Sequence, residues 1–428
     1  MKSITPQAGK KVLQYSKRAF GLFTSTLLLF TSFIILNQNA EAQPLICPPR
    51  ALEQVTDETT GDSSRPALNA DGTLVVFTSS ADINGGNPDG NFEIYLFDWA
   101  TGIYTQLTDE TAGDSLEPAI NADGTRIAFE SAANINGGKP EGNSETYLVD
   151  TTTGIIAQIT DEPAGDSLLP SINADGTRIA IQSAANINGG NPEGNRKIYL
   201  FNTTTGIFTQ ITDETIADSF DPIIDAVGTL IVFHSRLNLN GGNPEGNREV
   251  YLYDTTTGIT TQITFTTVGE NLHATISADG TRIAFHSDAD LTGGNPDMNI
   301  EVFLFDIPTG MFTQITDETV GVSADASING DGTHIVFESN ADINGGNPEG
   351  NFEIYYFDTE TGMFTQITDE TTGDSFLPAI NPDGTRIAFE SNADINGWNP
   401  EGNLEVYLTA CIDPNAPSSV PTLSQWAL

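Results

Sequence analysis

Apolar residues fall in short pieces of four to seven positions, cut by clusters of Gly, Asn, Asp and Pro. In one stretch the pieces are 118–121, 125–131, 145–150 and 155–160, rich in Ile, Phe, Tyr and Thr, and they predict four strands with no helix between them. The run Glu353-Ile354-Tyr355-Tyr356-Phe357 is apolar at consecutive positions. A strand of that kind suits a layer covered on both faces. The pattern then repeats with a period of 52. An Asp-Gly turn stands at Asp71, Asp123, Asp175, Asp279, Asp331 and Asp383, with Val227 in step at the fourth place. Thr-Asp-Glu-Thr begins at Thr56, Thr108, Thr212, Thr316 and Thr368, with variants at Thr160 and Thr264. Seven copies of a four-stranded unit predict an all-β fold, a seven-bladed β-propeller of antiparallel blades.

Closure of the ring needs its own argument, because a linear stack has the same period. Cys47 and Cys411 are 364 residues apart, seven periods of 52, and share the phase that Trp99 holds at the turn between third and fourth strands. The last copy lacks a fourth strand, and residues 51–55 supply one. A disulfide between Cys47 and Cys411 would replace the absent turn and latch the N-terminal strand into the last blade. Its Cα atoms must lie within about 7 Å, whereas seven stacked sheets would hold them roughly 70 Å apart.

Charge changes the picture of partners. The 428 residues carry 16 Lys plus Arg against 58 Asp plus Glu, a formal charge of -42, and this excludes a nucleic-acid binder. Lys2, Lys10, Lys11, Lys17 and Arg18 precede an apolar run at 19–36, and Ala40-Glu41-Ala42 follows. Residues 1–42 therefore read as a signal peptide cleaved before Gln43, with an uncleaved anchor as the alternative. Residues 43–415 form the propeller, and 416–428 a C-terminal tail. The expectation is an exported protein of the bacterial periplasm, cell surface or medium, monomeric, and membrane-associated only through its leader or a sorting signal.

The unit Pro378-Ala379-Ile380-Asn381-Pro382-Asp383-Gly384-Thr385-Arg386-Ile387-Ala388-Phe389, followed by Glu405-Val406-Tyr407-Leu408, resembles the WD-like repeat of the TolB-type propeller family. That resemblance implies an exported propeller that binds other macromolecules. Val420-Pro421-Thr422-Leu423-Ser424-Gln425-Trp426-Ala427-Leu428 resembles the start of the IPTL-CTERM sorting motif, which implies surface sorting.

Strand alternation places the fourth-strand-to-next-blade loops and the second-to-third-strand loops on one rim. These loops are rich in oxygen ligands: Asp82, Asn84, Asn87, Asp89 and Glu93 in the first copy, Asp342, Asn344, Asn347, Glu349 and Glu353 in the sixth, Asp394, Asn396, Glu401 and Glu405 in the seventh. Calcium is the candidate cation, since it takes six to eight oxygens. The competing reading is a loop held by its own side-chain-to-backbone bonds. No other cofactor is indicated. Asp221, His273 and Asp325 share one phase at the start of the innermost strand, where they would line the channel mouth. His234 and His286 share another phase with Glu130, Gln182, Glu338 and Glu390, which reads as a row of solvated polar positions. Gly113-Asp114-Ser115-Leu116 spells an esterase nucleophile motif, but the only Asp-x-x-His, ending in His334, falls on the opposite rim.

With no dense catalytic constellation, the expected function is an exported, non-enzymatic binding or scaffold propeller whose acidic long-loop face meets a protein or cell-surface macromolecule. Two alternatives stand beside it. One is a propeller hydrolase or lyase with a metal at the channel mouth, the other a passive surface or adhesive component.

Overall fold

A computed structural model of the chain describes residues 52–411, apart from 138–141, 214 and 239–240. These residues form seven four-stranded antiparallel sheets, as the repeat predicts. In six sheets the strands follow one another along the chain; the second runs Ser115–Ile120, Arg126–Ser131, Glu145–Asp150 and Ile155–Gln158 from the channel outward. The seventh takes Ser375–Ile380, Arg386–Ser391 and Glu405–Ala410 from the end of the repeat array and Leu52–Gln54 from its start. Leu52 lies opposite Thr409 and Gln54 opposite Tyr407. The ring is closed by this strand, and backbone bonds from Val55 N–H to Val406 O and from Ser63 N–H to Leu404 O, both 2.7 Å, continue the seam. Cys47 lies outside the described residues; Cys411 is buried, and no described cysteine is a free thiol.

The core lies between blades. Ile354 and Tyr356 of the sixth sheet pack with Ile387, Phe389 and Tyr407 of the seventh, and six further clusters repeat the arrangement around the ring. Each middle strand is covered on both faces, which is why its apolar positions run consecutively instead of alternating. Phe on the second strand stacks on Tyr of the third, as in Phe389–Tyr407 with centroids 5.6 Å apart.

The hairpin turns have a local cause. Asp123 Oδ1 accepts the N–H of Thr125 at 3.0 Å and its hydroxyl at 2.6 Å, while Gly124 supplies a φ of +72° that a Cβ would strain. Two local features differ from the sequence expectation. The innermost strand begins at Ser115, three residues before position 118, because a bulge between Leu116 and Ala119 interrupts its pairing and masks the alternation. The Ile-Asn-Gly segments, such as Ile83–Gly85, are single 3-10 turns with Asn84 at φ 57°.

Candidate functional site at the channel mouth

The bulge builds the site. One residue of each innermost strand sits in the left-handed region: Arg65, Glu117, Leu169, Asp221, His273, Asp325 and Leu377, with φ between 45° and 54°. Such a conformation costs a non-glycine residue roughly 1–2 kcal/mol, so its recurrence in every blade requires compensation. A second layer supplies it at five of the seven. Glu390 Oε2 accepts the N–H of Arg65 at 2.8 Å, Glu130 Oε2 that of Leu169 at 2.8 Å and Gln182 Oε1 that of Asp221 at 3.0 Å. His286 Nδ1 accepts the N–H of Asp325 at 3.2 Å and Glu338 Oε2 that of Leu377 at 2.9 Å. Each acceptor reaches from the preceding blade. Glu130, Gln182, His234, His286, Glu338 and Glu390 are accordingly buried, between 3% and 8% exposed. The expectation that this row is solvated is therefore corrected: its polarity serves the bulged backbone.

Six of the bulged residues, all but Leu169, line an open cavity of about 290 Å³. Arg65 and Glu117 form an ion pair at 2.8 Å on one side of it. On the other side, blades four to six bring the three channel-mouth candidates together. His273 Nδ1 lies 3.4 Å from Asp325 Oδ1 and 3.7 Å from Asp221 Oδ2. The two buried histidines close the arc from behind, with His286 Nδ1 3.7 Å from Asp325 Oδ1 and His234 Nδ1 3.7 Å from Asp221 Oδ2. The His273 and His286 rings stack at 5.0 Å. Three of the four histidines in the chain thus meet at one point.

Burial governs the protonation of this group. Desolvation pushes His234 down to about 2 and His286 down to about 4, with the neighbouring His273 adding to both, so the two rings stay neutral and keep a lone pair for a donor or a cation. Desolvation raises Asp221, against the pull of His273 and Arg248. Burial likewise pushes Glu117 up to about 7 despite its pairing with Arg65.

The arrangement fits a transition metal. Among the described residues, His273, His286 and Asp325 form the only grouping of His, Cys, Asp or Glu whose ligand atoms lie close enough for one ion, all within 4.8 Å. Their spacings of 3.4 and 3.7 Å exceed hydrogen-bond length; neighbouring ligands of a four-coordinate ion with bonds of about 2.1 Å lie about 3.4 Å apart. Asp325 Oδ1 and His234 Nδ1 are buried and have no hydrogen-bond partner. Imidazole nitrogen with carboxylate oxygen suits a first-row transition metal better than calcium.

The loop residues expected to hold calcium are arranged differently. Asp82, Asp342 and Asp394 each accept the N–H of the asparagine five residues on, at 2.8–2.9 Å. Asn87 and Asn347 donate to the carbonyls of Asn91 and Asn351 at 2.7 Å. Asn84, Asn344 and Asn396 occupy the 3-10 turns, while Asp89, Glu349 and Glu401 face solvent. Glu93, Glu353 and Glu405 are buried to 1% behind the loop. These groups do not converge, and calcium has no support from their geometry. The esterase motif is also structural: Ser115 Oγ donates to Ser131 Oγ at 3.0 Å in the core, and His334 stacks on Tyr356 elsewhere.

No protein-family profile matches the chain, and no curated protein matches it. Among solved structures, oligogalacturonate lyase from Vibrio parahaemolyticus is similar with a TM-score of 0.60 and 15% identity, over 84% of this chain and 93% of that one. An oligogalacturonate lyase in complex with manganese gives 0.60 and 17%, over 87% and 98%. TolB from Acinetobacter baumannii is also similar, at 0.45 and 21%, over 75% and 67%. At these identities the likeness shows the fold. The expectation of a non-enzymatic scaffold is corrected in favour of the enzyme alternative by the channel mouth itself, where His273, His286 and Asp325 form the ionisable cluster that this alternative requires; two of the propellers matched over more than nine-tenths of their length are lyases, one in complex with manganese.

Proposed function

We propose that the channel mouth is the active site of a divalent-metal-dependent lyase that cleaves an acidic saccharide by β-elimination. The observation that carries the reading is the His273, His286 and Asp325 grouping, with its orphaned carboxylate oxygen, on the wall of an open cavity. The likeness to an oligogalacturonate lyase in complex with manganese supports the substrate class and suggests manganese as the ion.

Elimination needs three services. The carboxylate of the sugar must be neutralised so that the proton on the adjacent carbon becomes acidic, and a cation held by His273, His286 and Asp325 would supply that. A base must take the proton as its electron pair forms the carbon–carbon double bond and the glycosidic carbon–oxygen bond breaks. An acid must then protonate the departing oxygen. Glu117, raised to about 7, exchanges protons at neutral pH in either direction, and Arg65 holds it in place at 2.8 Å while presenting positive charge to an incoming carboxylate. The test is direct. Protein loaded with manganese should release unsaturated, ultraviolet-absorbing products from oligogalacturonate, and His273→Ala should lose the metal. Absence of product from loaded native protein, or full metal retention by the variant, overturns the reading.

We also propose that residues 1–42 direct export and are removed, and that Cys47 latches to Cys411. Residues 1–42 and Cys47 lie outside the described residues. The seam at Leu52–Gln54 supports the second, because it brings the start of the array beside the strand that ends at Ala410.

A further inference from the structure

Two arginines stand beside this site without a salt bridge to any described residue, in a chain with 58 acidic residues, and Arg248 lies near enough to Asp221 to act on its charge. On the same rim Arg65 pairs with Glu117 and Arg236 with Glu270. Arg196 and Arg248 make no salt bridge among the described residues. Their guanidinium groups lie over one ring, that of Phe220, at 5.6 and 5.0 Å from its centroid. Phe220 in turn stacks on His234 at 5.4 Å, and His234 contacts His273 at 5.9 Å, so the pair lies just outside the metal-binding group. Arg248 Nε is buried and has no hydrogen-bond partner.

Neither arginine is required by the fold. The same phase holds Phe92, Ser144, Ile300, Phe352 and Leu404 in the other blades. The backbone contact is the same in six copies, Ile300 facing Val322 being the exception: Ser144 N–H donates to Asp166 at 2.9 Å as Arg196 N–H donates to Asp218 at 2.7 Å and Arg248 N–H to Glu270 at 2.6 Å. Two long cationic side chains have therefore been placed where a serine or an isoleucine suffices for structure. A guanidinium resting on an aromatic ring keeps its edge N–H groups free, and those match a carboxylate two at a time.

Building on the lyase reading, we infer that Arg196 and Arg248 form a subsite for the carboxylate of a second sugar unit, adjacent to the one held at the metal, so that the preferred substrate is an oligomer of uronic acid. Phe220 is a positioning residue that holds both guanidiniums. The subsite also explains how a polyanion approaches so acidic a protein: the arginine pair makes a local positive point in a repulsive field.

The experiment is calorimetric titration of metal-free and manganese-loaded protein with galacturonate and with tetragalacturonate. Native protein should bind the tetramer in both forms. Arg196→Ser and Arg248→Ser, substitutions already present at Ser144, should each weaken tetramer binding ~10-fold and the double variant ~100-fold, while monomer affinity and manganese content stay at native values. Phe220→Leu should weaken the tetramer and spare the monomer. A double variant that binds tetramer like a cleaving native protein overturns the subsite alone. Failure of the native protein to bind any uronate overturns the subsite and the lyase reading together.

Discussion

The one lone pair of the His286 ring can serve either a backbone N–H or a metal ion, and a single substitution separates the two duties. The ring Nδ1 accepts the Asp325 N–H at 3.2 Å, the longest of the five contacts that hold bulged backbone, and the same atom lies 3.7 Å from the unpartnered Asp325 Oδ1. In the third blade the equivalent duty falls to Gln182, whose Oε1 accepts Asp221 N–H at 3.0 Å. His286→Gln therefore installs an acceptor that the fold already uses at this place, in a site only 6% exposed. Stability should change by less than about 1 kcal/mol, whereas His286→Ala leaves the Asp325 N–H buried without a partner and also opens a cavity, together costing about 2–4 kcal/mol. Metal binding should respond in another order. Both variants remove one of three ligands, so each should lose manganese affinity by about 100-fold or more, given that perturbing even an outer-shell partner costs 10- to 100-fold. Denaturant unfolding gives the first quantity and calorimetric titration with manganese the second. If His286→Gln kept native manganese affinity, the histidine would be a backbone acceptor and nothing more, and the proposed ligand set would fall.

Other outcomes follow from single features. Glu353 is buried to 1% with Oε2 unpartnered, and desolvation raises its carboxyl from 4.5 to about 7. The folded state holds this proton more tightly than the unfolded chain, so the group's contribution to stability is full below about pH 4.5 and is lost as pH rises to about 7, a change on the order of 3 kcal/mol. Glu353→Gln should remove that part of the slope and stabilise the protein at about pH 8; loss of stability there would mean that the ionised carboxylate is needed. At Gly113, φ is +91° and a Cβ would stand 2.6 Å from the backbone N of Ala133, so Gly113→Ala should destabilise by ~3 kcal/mol or more, read by thermal melting. Reducing agent should lower the melting temperature of native protein and leave Cys47→Ser unaffected, and equal responses would remove the latch. Glu117→Gln should abolish the limb of the activity profile near pH 7 while leaving manganese binding intact, since Glu117 touches Arg65 and not the histidines.

The architecture was readable because the period repeats what is structurally necessary. Asp123 and Gly124 make a turn that every blade needs, and Leu52 to Gln54 complete a strand that the last copy lacks. The site was half readable for the opposite reason. Asp221, His273 and Asp325 could be placed at the channel mouth by phase, but whether adjacent blades bring them together depends on the bulge, which no alternation pattern reveals. The placing of His286 and His234 differs from the sequence expectation because a polar residue on a strand normally signals solvent; His286 instead accepts a backbone N–H from the next blade, and His234 is buried beside Asp221. A usable signal did exist. Against copies that agree almost residue for residue, the bulge phase runs Arg, Glu, Leu, Asp, His, Asp, Leu.

That contrast points to how the molecule gained chemistry. Every blade pays the same conformational cost at its bulge, and five of the seven recover it through a buried acceptor, so the backbone at the channel mouth keeps its form whatever side chain it bears. Two leucines at this phase show that the position tolerates an apolar residue with no loss of the bulge. A side chain there is thus free to be chosen for what it faces across the channel. Where the acceptor layer is also histidine, as behind Asp325, the strain-relieving group carries a lone pair that a metal ion at the same point would take over from the backbone N–H. On this reading two neighbouring blades, the fifth and sixth, assemble a metal-binding group by substitution at two phases alone, while Arg65, Glu117, Asp221 and Leu377 in the same frame shape the rest of the cavity.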